Sequence, residues 1–162
     1  MISSIKRSYL AGFFDGDGNI IVNITTSSKT HRKSYYVAVQ VVNTKREILE
    51  LFKESYKGII YDFKNKSYLL KHPKYNMSWI WRLTSRQAIC FLKEIFPFMV
   101  LKKNQALAAF ELDELIQKTK KIGKRDSKGR YVGGRITAEG YKKRQAIKDK
   151  ISNLNKGRKV LY

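Results

Sequence analysis

Cysteine, histidine and proline are nearly missing from this chain: one, two and two among 162 residues. Cys90 by itself permits no internal disulfide and no cysteine-rich zinc site, and its place in a helical stretch predicts a small, packed apolar residue. His31 and His72 are too few for nucleases built on His-Asn-His or His-Cys boxes, which use several imidazoles as bases and metal ligands. Acids are scarce too, thirteen against thirty-four Lys and Arg, so the net charge is +21. An excess of that size repels itself in a folded chain unless a polyanion shares it. That points to nucleic acid, well ahead of an anionic membrane surface. No apolar run approaches the ~20 residues of a membrane-spanning helix. Residues 1–9 lack the apolar centre of a secretory signal. No membrane is therefore expected among the partners, and the expected address is intracellular.

What the chain does hold is enough apolar material to fold: 43% hydrophobic and 12% aromatic residues, in a length typical of one domain. The strongest pattern lies in residues 7–19, R-S-Y-L-A-G-F-F-D-G-D-G-N. Tyr9, Leu10, Phe13 and Phe14 recur at helical spacing and predict a short helix over residues 5–15. Ser8, Gly12 and Gly16 stand four apart, leaving one side of that helix without bulk, so that a second backbone can come close. Asp15 and Asp17 fall at the carbonyl end, where the helix dipole disfavours each carboxylate by ~0.3–1 kcal/mol. Two acids at that pole make sense beside a cation; a tight D-G-D-G turn with Asx-type hydrogen bonds is the other reading. A calcium loop is excluded, because Ile20 stands where its glycine is required and Thr26 where its bidentate glutamate belongs.

Residues 19–27 alternate, with Ile20, Val22 and Ile24 on one face and Ile21, Asn23 and Thr25 on the other. Residues 34–43 do the same, with Val37, Val39 and Val41 inward and Tyr36, Ala38 and Gln40 outward. The outward amides and hydroxyls of this hairpin can donate and accept together, as reading base edges requires. A helix capped by Asn43 and Thr44 follows to about Tyr56, on a stripe of Ile48, Leu49, Leu51 and Phe52. Residues 58–64 and 76–84 are the third and fourth strands, and Pro73 marks 68–75 as loop or edge. In the fourth strand Met77, Trp79, Trp81 and Leu83 are placed in the core, and Ser78, Ile80 and Arg82 outside. Ser85 opens a helix carrying Ile89, Leu92 and Ile95 that Pro97 breaks, and residues 99–117 form another with Leu101, Ala108, Leu112, Leu115 and Ile116. The class is α+β with a four-stranded antiparallel sheet.

The composition changes near the end. Residues 118–162 hold sixteen bases and three acids, +13 of the total +21. Residues 1–119 are read as the core, and 120–162 as a basic loop and helix of the same domain. Thr137 caps a helix over residues 138–154 with Ile147 and Ile151 as its thin apolar stripe. A charge run of this kind is either a solvated extension or a nucleic-acid contact. Gly58-Ile59-Ile60-Tyr61 is half of a GIY-YIG signature without the other half and reads as a plain strand. Glu111, Asp113 and Glu114 read as solvated helix charges.

Leu10-Ala11-Gly12-Phe13-Phe14-Asp15-Gly16-Asp17-Gly18 resembles the LAGLIDADG motif of homing endonucleases, with Phe13-Phe14 for Leu-Ile and Gly16 for the central Ala. The order of elements is similar to that family's αββαββα core with its saddle-like sheet. The Thr137-to-Gly140 start and Leu154-to-Arg158 finish resemble its C-terminal helix, which lies along DNA. The resemblance implies a homodimer, since one chain carries one motif, with Ser8, Ala11, Gly12, Asp15 and Gly16 at the interface. It makes Asp17 the catalytic metal ligand and the Gly16 carbonyl an accessory one, with Mg2+ or Mn2+ as the ion and no small-molecule cofactor. Lys102 corresponds to a lysine that stabilises charge at the cut phosphate, Asn43 to a residue ordering water, and Arg46 to a base in the same network. Lys103 and Lys45 are the neighbouring alternatives to Lys102 and Arg46.

Expected DNA contacts are Ile21, Asn23, Thr25, Gln40 and Arg82 on the sheet and Lys156 and Arg158 in the tail. The implied activity is metal-dependent cleavage of double-stranded DNA at a long, roughly palindromic site, as in intron homing. The alternative is an RNA-binding intron maturase, or a DNA-binding relative that no longer cuts. Lys outnumbers Arg 24 to 10, which leans toward an A/T-rich genome and an organelle, mitochondrion or chloroplast; a prokaryotic cytoplasm is the other address.

Overall fold

The structure is a computed structural model that describes residues 2–28, 31–63, 77–122, 124–125, 127–129, 131–132 and 136–157. In chain order these form α1 (Ser4–Asp17), β1 (Gly18–Thr26), β2 (Lys33–Asn43), α2 (Arg46–Tyr56), β3 (Ile59–Asp62) and β4 (Trp79–Thr84). Then come α3 (Ser85–Ile95), a 3-10 turn (Phe96–Phe98), α4 (Lys103–Ile122), a short hairpin of β5 (Lys124–Arg125) and β6 (Tyr131–Val132), and α5 (Ala138–Gly157). The main sheet has the order β1-β2-β4-β3, and β4 runs antiparallel to both β2 and β3. This is the expected α+β class with its four-stranded sheet. Residues 68–75 with Pro73, and Arg158, lie outside the described residues. The chain divides into two compact units, residues 1–20 with 38–103, and residues 21–37 with 104–162.

The first unit is built on aromatic packing. Ser3 caps α1, its Oγ accepting the Lys6 N–H at 3.2 Å, and the helix buries Leu10, Ala11 and Phe14. Phe14 meets Phe91 edge-on at 5.0 Å, Phe13 meets Phe52 at 6.0 Å, and Trp81 lies 4.8 Å from Phe52 and 5.2 Å from Phe91. Ring pairs at such distances add ~0.5–1.5 kcal/mol each beyond their buried area. Ion pairs from Arg7 to Glu94 (3.0 Å) and from Lys6 to Glu54 (3.6 Å) hold the first half of α1 to α3 and α2. Beside them burial pushes the Tyr56 hydroxyl up to about 12; the Glu94 carboxylate adds to the rise and Arg7 offsets part of it.

The turn into β3 is sterically fixed. Lys57 and Gly58 both take positive φ, 65° and 92°, and a Cβ on Gly58 would stand 2.7 Å from the Arg82 carbonyl oxygen. Trp81 Nε1 donates to the Lys57 carbonyl at 2.7 Å and locks that turn.

Four residues of this unit differ from expectation in burial. Ala38, Ser78 and Ile80, expected outside, are buried. Ile80 has Val42 on β2 and Tyr61 on β3 as its direct cross-strand partners. Cys90 is exposed on α3 rather than packed, because the buried face of that helix is taken by Ala88, Ile89, Phe91, Leu92 and Ile95.

The second unit packs small and aliphatic residues. Ala106, Ala108, Ala109 and Leu112 of α4 are buried, as are Ile147 and Ile151 of α5. The Thr137 Oγ1 accepts the Gly140 N–H at 3.0 Å, the cap that the sequence predicts, and α5 continues to Gly157 rather than ending near residue 154. Arg144 is buried in spite of its charge. It donates to the Leu115 carbonyl at 3.2 Å and to Thr119 Oγ1 at 2.7 Å, and desolvation lowers its pKa. From β2, Tyr35 donates its hydroxyl to Gln145 Oε1 at 3.0 Å.

Candidate active site at the end of helix α1

Helix α1 runs two residues further than its apolar periodicity suggests, so both aspartates lie within its last turn. Their surroundings differ completely. Asp15 is only 5% exposed. Its Oδ2 accepts the N–H groups of Val100 and Leu101, and its Oδ1 that of Lys102, all at 2.7 Å. These donors belong to the residues just before α4, where N–H groups have no carbonyl within the helix to bond. Residues 99–102 were expected to begin that helix. They form instead the loop that wraps this carboxylate, and the helix starts at Lys103.

Lys102 completes the arrangement. It is 3% exposed, and its Nζ donates to the Gly16 carbonyl at 3.0 Å and to the Asp15 carbonyl. The ammonium therefore caps the negative end of the α1 dipole. Burial raises the Asp15 pKa, but the N–H groups of Leu101, Val100 and Lys102 and the Lys102 charge outweigh that, and the net value lies below the ordinary one. The cation that two acids at a helix's carbonyl end called for is, for Asp15, a lysine of the same chain. Lys103 is exposed, with Nζ 6.0 Å from the Phe96 ring centroid.

Asp17, by contrast, is exposed and forms none of the described hydrogen bonds. Gly18 must be glycine, since a Cβ there would lie 2.3 Å from the Phe14 ring. Gly12 and Gly16 face open space, with no described atom within 4 Å of an added Cβ. Ser8 is exposed beside them, while Ala11 and Asp15, expected on the same surface, are turned into the core.

Among the described residues no three His, Cys, Asp or Glu side chains stand together to hold a metal ion. One chain offers the Asp17 carboxylate and the Gly16 carbonyl, hard oxygen donors of the kind Mg2+ takes but too few to fill its shell. The Gly16 oxygen already receives the Lys102 ammonium, which leaves it a second lone pair.

Two of the other expected residues have partners of their own. Asn43, at the end of β2, accepts the Lys45 N–H at 2.8 Å, and Arg46, at the start of α2, pairs with Glu50 at 3.0 Å. Neither bonds to Asp17 or Lys102 among the described contacts. Gln40 and Arg82 belong to the first unit, directly paired across β2 and β4. Ile21, Asn23 and Thr25 belong to the second, where the Asn23 amide nitrogen is enclosed with no hydrogen-bond partner among the described residues. Lys156 is exposed near the end of α5.

The family model described as "LAGLIDADG endonuclease" matches residues 10–99, from the motif to the loop that wraps Asp15. The chain belongs to the LAGLIDADG endonuclease family. Solved structures of LAGLIDADG relatives share its fold at low identity. The archaeal intron-encoded homing endonuclease I-Vdi141I, complexed with DNA, is 17% identical with a TM-score of 0.67, over 93% of this chain and 84% of that one. The homing endonuclease I-CvuI, in complex with its target in the presence of calcium, is 17% identical with a TM-score of 0.66, over 93% and 82%. I-SmaMI, bound to uncleaved DNA with calcium ions, matches over 94% of this chain but only 46% of its own, at 17% identity and a TM-score of 0.59. No curated protein sequence matches the chain. Among the described residues no helix is long and apolar enough to cross a membrane.

Proposed function

We propose that this LAGLIDADG chain is a site-specific endonuclease that acts on double-stranded DNA as a homodimer, hydrolysing phosphodiesters with Mg2+ or Mn2+. One observation carries the reading: the uncovered side of α1, where Gly12 and Gly16 face open space and Asp17 stands exposed at the end. A glycine inside a helix costs ~1 kcal/mol relative to alanine, and in a lone chain nothing offsets that. A second α1 laid against the first does, because missing side chains let the backbones touch. Ile5 and Tyr9, large and exposed on the same helical stripe, gain burial in the same step. Symmetric pairing brings two Asp17 carboxylates to one axis and calls for a roughly palindromic target.

In this reading Asp17 and the Gly16 carbonyl would hold divalent ions, whose chemistry would be to activate water and neutralise phosphate charge. Lys102, fixed by the Asp15 loop, sets a positive charge beside the cut phosphate without reorganisation during the reaction. Asn43 and Arg46 order water around it. Residues 1–119 act as the endonuclease core, and 120–162 as its basic extension along the DNA backbone.

The test is incubation with Mg2+ and a plasmid library carrying random inserts. The wild-type chain linearises a subset sharing one long motif. Asp17→Asn retains those sequences in a binding assay and cuts none. Selective RNA binding with no DNA cut under any divalent ion would replace this reading with the maturase one.

A further inference from the structure

The carbonyl end of α1 gathers negative charge that its own chain offsets only in part. Asp15 and Asp17 both lie in the last turn, and the helix dipole adds about half a negative charge there. Against them stands one ammonium. Lys102 is buried, with its Nζ on the Gly16 carbonyl at 3.0 Å and on the Asp15 carbonyl. Three backbone N–H groups answer the Asp15 carboxylate. Asp17 is exposed and forms none of the described hydrogen bonds.

Lysine is seldom buried this deeply. A lone chain has little use for the placement, since an exposed helix end is solvated by water and tolerates carboxylates at small cost. It matters when a second such end arrives. Two paired α1 helices bring their ends together, and the repulsion between them scales with the product of their charges. With Lys102 each end carries about 1.5 negative charges, and without it about 2.5, so the repulsion rises about three-fold.

We propose that Lys102 is the resident cation of the dimer axis, letting two α1 ends meet before any divalent ion is bound. Assembly then precedes metal loading. The inference rests on the homodimeric reading above and goes beyond it, giving Lys102 a role in association and the two events an order.

Sedimentation of the full chain without DNA, in EDTA and then in Mg2+, tests it. Wild type is a dimer in EDTA. Lys102→Met is close in length to lysine but uncharged. Its dimer dissociation constant rises at least ten-fold in EDTA, and saturating Mg2+ recovers most of that loss. Adding Asp17→Asn to Lys102→Met restores metal-free association, a rescue that a packing defect at residue 102 would not show. Raised salt narrows the gap between wild type and Lys102→Met in EDTA, because exposed charges are screened. Equal dissociation constants for these two in EDTA would overturn the proposal, as would a double variant no tighter than Lys102→Met. Should Lys102→Met not fold, Asp17→Asn alone decides. It tightens the metal-free dimer at least three-fold, and an unchanged constant counts against the proposal. A wild type that pairs only in Mg2+ sinks this inference and leaves the homodimer standing, whereas one that is monomeric in both solutions sinks the parent reading too.

Discussion

Asp15 and Asp17 are two residues apart and do unrelated work. Asp15 organises its own chain, with three N–H groups on its carboxylate and the Lys102 ammonium at its backbone. Asp15→Ala strips those donors of their acceptor and lowers stability by about 2–3 kcal/mol, read from urea unfolding. The pH dependence has a definite sign. The folded-state pKa of Asp15 is depressed, so its contribution is present above the ordinary carboxylate value of about 3.9 and disappears as pH falls through the lower folded value. Wild type therefore loses this increment only below about pH 4, and Asp15→Asn, which has no carboxylate at that position to protonate, has a shallower acid slope over the same span. A parallel acid slope in the two proteins would show that Asp15 is not the group responsible.

At the scale of elements, α1 makes a prediction that separates folding from assembly. No described atom lies within 4 Å of a Cβ placed on Gly12. Gly12→Ala should thus raise the stability of the lone chain by up to about 1 kcal/mol while weakening self-association. Thermal melts and sedimentation of the same samples check both halves; a variant that is more stable and equally dimeric contradicts the proposed packing.

Much at this scale was legible beforehand. Strict alternation marked β1 and β2, the Thr137 cap marked α5, and the motif marked the helix that matters. What escaped detection depended on distant partners. The Asp15 carboxylate bonds to residues 85 to 87 positions away, which no local pattern encodes. The same remoteness hid Arg144, whose partners are on another helix. For Ile80 the alternation gave the face but not the burial, which depends on residues paired with it from two other strands.

The whole molecule is governed by its charge. With +21 overall and +13 of it in residues 118–162, duplex affinity should fall steeply with salt. About 6–10 phosphate contacts would cost a factor of about 10³–10⁵ between 50 and 200 mM. Lys156→Ala should reduce the slope of log affinity against log salt by about one without altering which sequence is preferred. A nearly flat salt response would rule out backbone tracking by this end of the chain.

The two empty glycine positions on α1 also set a dosage rule. A protein that carries half of its reactive centre is inert when dilute, because each molecule must first find its twin. In the proposed assembly the amount of competent nuclease rises with the square of the chain concentration until most copies are matched. On that proposal a host making only traces of it would keep its genome uncut, and a modest burst of synthesis would switch cutting on sharply.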